Sequence, residues 1–249
     1  MIFRQLFEPL SSTYTYLLGC AETGQAVLID PVIVAIDRDL AEVERLGLSL
    51  AYSLETHIHA DHITAGLELK KRAGSKIAAP ACDRLPCTDL GIEEGKPFQV
   101  GGIVLHPLHT PGHTDGHFAY LSGDRVFTGD ALLIEGCGRT DFQNGDADAL
   151  YKSVREKLLS LADDVLVYPA HDYKNRHVSS VAQEKKRNPR LGEKRTLEEF
   201  RNIMAKLNLP YPRFIDYAVP GNKLCGTCPS DLPENLEKYC RQMSESPQG

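Results

Sequence analysis

Short apolar runs of four to six residues, rich in Val, Ile and Tyr and separated by Gly, Pro and Asp, recur through the first two thirds of the chain. This pattern predicts β-strands at 14–18, 26–29, 50–54, 76–79, 97–100, 103–108, 118–121, 125–128 and 165–168. Gly101-Gly102 joins the fifth run to the sixth, and Ser122-Gly123-Asp124 the seventh to the eighth, so both pairs read as tight hairpins. Helical spacing governs four other places. Leu40, Val43 and Leu46 follow Asp37 and stop at Gly47, and a shorter helix follows His62 through Ala65 to Arg72. Leu150, Val154 and Leu158 recur at four-residue intervals behind Asp146 or Asp148 as a cap. Thr196-x-x-Glu199 forms a capping box ahead of the stripe Phe200, Ile203, Met204 and Leu207, which ends at Pro210. From about residue 178 strands are no longer expected. Residues 183–195 read as a charged loop, and the remainder as one helix with Pro/Gly-rich coil. The chain is therefore expected to be an α/β core over 1–177 followed by a C-terminal extension over 178–249.

Composition narrows the function classes. The 249 residues carry a formal charge of −6 with 42% hydrophobic and 25% charged residues, the balance of an ordinary folded protein. A mildly acidic chain without a basic stripe argues against nucleic acid or an anionic membrane as partner. The longest apolar stretch, 26–36, is broken by Asp30 and Pro31 and is shorter than the roughly 20 residues that cross a bilayer, so no membrane segment is expected. The first ten residues show no targeting pattern, which makes a cytoplasmic location the expectation. Seven Cys without a secretory signal suggest free thiols rather than a disulfide framework.

The histidines are where chemistry concentrates, since all nine lie between residues 57 and 177. Thr56-His57-Ile58-His59-Ala60-Asp61-His62 places four metal-ligating side chains in six residues directly after a strand. Neither helix nor strand periodicity puts them on one face, so a loop folding back on a single centre is the reading. His113, Asp130 and His171 each follow a further predicted strand. Loops at the carboxyl ends of strands carry function in α/β folds, and four such loops can converge on one site. His106, His109, His117 and His177 are read as ordinary surface or core histidines.

The pattern HxHxDH…H…D…H over about 12–177 resembles the metallo-β-lactamase superfamily, which implies an αββα sandwich with its site at one edge. THIHADHIT (56–64), TPGHT (110–114), FTGDALLIEGCGRTDF (127–142), YPAHDY (168–173), Asn188-Pro189-Arg190-Leu191 and AVPGNKLCG (218–226) are most similar to the persulfide dioxygenases of the ethylmalonic-encephalopathy-protein type. That resemblance implies one Fe(II) per chain held by His57, His113 and Asp130, a set that leaves coordination positions open. It implies oxidation of glutathione persulfide with O2 to sulfite and glutathione. His59, Asp61, His62 and His171 then surround the ligands rather than bind iron. Asp61, His171 and Tyr173 are the candidate catalytic side chains, and Arg139, Arg190, Tyr173 and Cys225 the candidate substrate contacts, the arginines matching the two glutathione carboxylates.

Cys225 and Cys228 form a lone CxxC in apparent coil, for which Cys82 and Cys87 make a poor second pair, so neither structural zinc nor a redox motif is expected. Cys225 is expected to line the pocket wall. The competing activity is that of a glyoxalase II-type thioester hydrolase, which shares the His/Asp scaffold but usually has a further His where this chain has Ile58. On the family resemblance the persulfide arrives from solution or from a separate sulfurtransferase, and a homodimer through the N-terminal strand region or the extension is expected.

Overall fold

A computed structural model describes residues 1–228 and 230, and the rest of the expected extension lies outside the described residues. The first six strands are β1 (Ile2–Glu8), β2 (Thr13–Gly19), β3 (Gln25–Ile29), β4 (Ser49–Leu54), β5 (Lys76–Pro80) and β6 (Leu90–Ile92). They form one sheet in that order, parallel from β3 onward. The second sheet runs in the order β12 (Ser179–Ser180), β11 (Leu166–Pro169), β10 (Arg125–Gly129), β9 (Phe118–Ser122), β8 (Ile103–His109), β7 (Phe98–Val100). Its pairs are antiparallel except β10 with β11.

The alternation within β2 explains the layering. Tyr14, Tyr16 and Leu18 enter the core between the two sheets with Phe98, Leu105, Phe127 and Tyr168, whereas Leu17 points the other way with Leu28, Val43 and Leu69. The outer face of the first sheet is covered by α1 (Ile36–Arg45) and α2 (Gly66–Ala73). The outer face of the second is covered by α3 (Ala147–Ser153) with the π-helical turn Val154–Leu158, α4 (Val181–Arg187) and α5 (Leu197–Ala205). The result is the αββα sandwich. Asp146 caps α3 by accepting from Asp148 and Ala149, and the Thr196–Glu199 capping box opens α5.

Strands do not stop at residue 178, because Ser179 and Ser180 pair with Val167 and Leu166 as β12. Three further expectations need correction. β1 is an edge strand whose residues are mostly half-buried, with Phe3 against the inter-sheet core and Leu6 against the helix side, so neither face shows clean alternation. The charged stretch 183–195 is not all loop, because it contains most of α4, which buries only Val181 and Glu184 and turns its cations to water. The Pro/Gly-rich coil contains α6 (Ile215–Asn222), with Pro220 inside it. This helix persists because Ile215, Ala218 and Asn222 bury one face while Pro220 lies on the exposed side. No helix among the described residues is long and apolar enough to cross a membrane.

Candidate metal centre

The strand ends converge as the sequence suggests. The loop after β4 carries His57, His59, Asp61 and His62, and the ends of β8, β10 and β11 supply His113, Asp130 and His171. One ligand atom each from His57, His113 and Asp130 lie within 4.8 Å of one another. His113 Nε2 is 3.4 Å from Asp130 Oδ2, and the His57 and His113 rings meet edge-on at 5.0 Å.

Tautomers follow from the hydrogen bonds. Thr56 Oγ1 donates to Asp30 Oδ2 at 2.9 Å, so its lone pair accepts Nδ1–H of His57, also at 2.9 Å. His113 Nδ1 donates to the Arg139 carbonyl at 2.7 Å, and His171 Nδ1 to the Ser12 carbonyl at 3.0 Å. In the first two rings Nε2 is the nitrogen left for the site, and in His57, which burial keeps neutral, it carries no proton. His57 Nε2, His62 Nε2 and Asp130 Oδ1 are buried without a hydrogen-bond partner. Orphaned buried acceptors of this kind fit a cation bound between them.

Burial holds His57 well below the usual imidazole range, helped by His59, His117 and His113, so it stays neutral. Burial also opposes charge on His171, but Asp130 and Asp61 outweigh it and raise the ring to about 10. His59 behaves alike, with Asp30, Asp61 and Glu55 bringing it to about 9. Asp61 resists the penalty of burial because His171 and His62 hold its carboxyl well below the usual range. His59, Asp61 and His62 form a second group of potential ligands beside the first, and Asp30, Glu55 and His59 a third.

The remaining candidates fall around this centre in different ways. Tyr173 is exposed and stacks on His171 at 6.0 Å with an interplanar angle of 7°. Arg139 grips Asp141 through two 2.6 Å bonds and donates to the Pro210 carbonyl at 2.8 Å. Arg190 Nη1 donates to the Cys137 carbonyl at 3.0 Å, two residues before the carbonyl that holds His113. Cys225 is buried beside a small pocket that His57, Ile58 and Asn222 also line. The free-thiol expectation is overturned here. Cys225 is disulfide-bonded to Cys87, because α6 carries it across the strand ends to a Cα–Cα distance of 6.1 Å. Cys228 is disulfide-bonded too, whereas Cys20, Cys82 and Cys137 are free.

Two residues of the site escape the sequence reading. His117, read as ordinary, is wholly buried and accepts the Asp130 backbone N–H at 3.0 Å, while its Nδ1 meets Thr110 Oγ1 at 2.8 Å. Asp30 accepts from both the backbone and the hydroxyl of Thr56. A charge directly after an apolar strand was the available signal for Asp30.

The metallo-beta-lactamase superfamily model matches residues 9–171. Persulfide dioxygenase ETHE1, mitochondrial, of Homo sapiens and of Bos taurus is 47% identical over 234 residues, covering 91% of this chain and 89% of each relative. This chain belongs to the ETHE1 persulfide dioxygenase family within the metallo-β-lactamase superfamily. A crystal structure of the family member from Myxococcus xanthus superposes with a TM-score of 0.89 at 53% identity, over 91% of this chain and 100% of that one. Hydroxyacylglutathione hydrolase of Rhodospirillum rubrum is 38% identical over 66% of this chain and 64% of its own, so the hydrolase branch is related more distantly.

Proposed function

We propose that the chain is an Fe(II)-dependent persulfide dioxygenase that converts glutathione persulfide and O2 to sulfite and glutathione. The carrying observation is the cluster of His57, His113 and Asp130, with both imidazole Nδ1 atoms anchored and with His57 Nε2 and Asp130 Oδ1 buried without a partner. Two imidazoles and one carboxylate make the donor set suited to iron with positions left open. Iron bound there would supply the electron transfer to dioxygen that amino-acid side chains lack.

The chain's own residues do the rest. Asp61, an anion between His62 and His171, holds the His171 ring beside Asp130, and the pair holds and orients the water that releases sulfite. Tyr173 covers His171 from the solvent side and offers its hydroxyl to the incoming substrate. Arg139 takes a glutathione carboxylate in exchange for Asp141, the two being carboxylate ligands of the same guanidinium. Arg190 takes the other carboxylate, and Cys225 lines the wall. The persulfide comes from solution or from a separate sulfurtransferase.

The reading is tested by metal analysis of the purified chain together with an oxygen electrode. About one iron per chain and O2 uptake on adding glutathione persulfide are expected. The His59, Asp61, His62 group gives the hydrolase alternative its structural footing, since a second metal there would generate a hydroxide nucleophile. Two zinc ions per chain, hydrolysis of S-lactoylglutathione and no O2 uptake would establish that alternative instead.

A further inference from the structure

Asn222 is the last residue of α6 and is 4% exposed, although it lies some 160 residues along the chain from everything its side chain touches. Its Oδ1 accepts the Thr64 backbone N–H at 2.9 Å. Its Nδ2 donates one hydrogen to the His59 carbonyl at 2.9 Å and the other to the His62 carbonyl at 2.8 Å. Only this orientation of the amide works, because the flipped one would set oxygen against two carbonyls and nitrogen against an N–H. One side chain thus closes three backbone groups of the loop that carries His57, His59, Asp61 and His62.

The clamp is itself held firmly. Leu67 N–H donates to the Cys225 carbonyl at 3.0 Å, and Cys225 is tied to Cys87. Gly226, at φ +94°, lies so close to the loop that a Cβ would stand 2.1 Å from the Thr64 carbonyl oxygen, so only glycine permits this approach. Gln143 reaches the same loop from the other side, donating to the Ile58 carbonyl at 2.8 Å.

We propose that Asn222 is a positioning residue for the metal centre, setting the path of loop 57–64 and hence the direction in which its side chains face. The inference rests on the metal-centre reading above. Asn222→Asp keeps the acceptor for Thr64 but replaces the nitrogen that makes both donations with an oxygen that faces the two carbonyls. Asn222→Ala leaves all three backbone groups without their partner.

The test is competition between the protein and a chelator for Co(II), with Fe(II) under anaerobic conditions as a second probe, on the native chain, both variants and Lys223→Ala. Asn222→Asp is expected to bind either metal 10- to 100-fold more weakly, on the order seen when groups supporting metal ligands are lost. Lys223→Ala, at the exposed neighbour, is expected to bind as the native chain does. Hydrogen exchange in the metal-free proteins gives a second readout. Amides of 58–64 should exchange at least tenfold faster in the variants, while those of β9 and β10 should not change. Affinity within twofold of native, or exchange accelerated uniformly across the molecule, overturns the role of Asn222. A native chain that takes up neither metal overturns the metal-centre reading itself, and the two failures are thereby distinguished.

Discussion

Each imidazole of the candidate centre is aimed by the bond its other nitrogen makes, and the partners are scattered: Thr56 for the candidate ligand His57, the Arg139 carbonyl for the candidate ligand His113 and the Ser12 carbonyl for His171 beside them. His117 does the same for the carboxylate by accepting the Asp130 N–H. His117→Ala should leave that buried N–H without a partner and free Asp130 to drift. Metal affinity is then expected to fall about 10- to 100-fold in a chelator competition, with His117→Gln recovering part of the loss because its Oε1 can accept the same bond. Arg190 presents a choice between two roles. A grip on substrate predicts that Arg190→Ala raises KM for the persulfide at unchanged iron content. Support of the Cys137 carbonyl predicts instead that iron content falls, so metal analysis beside the kinetics decides between them. The ligand candidates His57, His113 and Asp130 are legible in the sequence because each stands directly after an apolar run. His117 and Asn222 are not, since their importance depends on which backbone group faces them, and spacing carries no trace of that.

Among the elements, the inner strands are readable because burial on both faces leaves short continuous apolar runs, as in β2 and β3, while β1 at the sheet edge and α6 with its proline dilute their signals. The same blindness hid the Cys87–Cys225 bond, whose partners are 138 residues apart and meet only because α6 crosses the strand ends. Removing that link should cost about 2–4 kcal/mol. For a chain of this length Cys87→Ser, which leaves the Cys228 bond in place, is expected to melt roughly 5–15 °C below the native chain when neither is reduced. Peptide mapping of the untreated native protein should recover the linked fragments. Gly112 is a second element-level contact, where the loop bearing His113 meets the start of α3. It sits at φ +133°, and a Cβ there would lie 2.2 Å from the Leu150 nitrogen. Gly112→Ala is expected to destabilise the fold by more than about 2 kcal/mol in denaturant unfolding, since neither backbone can yield.

At the scale of the whole molecule, the two sheets and their helices bring Asp30, Glu55, Asp61 and Asp130 together with His57, His59, His62, His113, His117 and His171 in one largely buried cluster, an arrangement that the metal-free chain stabilises with protons. Burial, then the Asp30 charge, push Glu55 up to about 8, while His59 and His171 stand at about 9 and 10. All three values are raised above those of an unfolded chain. Their contribution to stability is therefore fully present at low pH and is lost as pH rises through the raised values. His57 and His117 are depressed, and their contribution is lost in the opposite direction, below about pH 6.5. Between pH 6.5 and 9 the raised group governs, so the metal-free protein should melt at progressively lower temperature. A divalent cation supplies the positive charge that protons supplied and competes with them, so its stabilisation must grow over the same interval. At a free metal concentration 100 times Kd that stabilisation is about 2.7 kcal/mol, or roughly 5–10 °C in melting temperature. Paired melts of the loaded and chelator-stripped protein at pH 6.5, 7.5 and 9, each at a fixed multiple of the Kd measured at pH 6.5, should show the increment widening with pH. An increment that stays flat or narrows would mean that the cluster keeps its protons when the metal binds, and that the cation sits elsewhere.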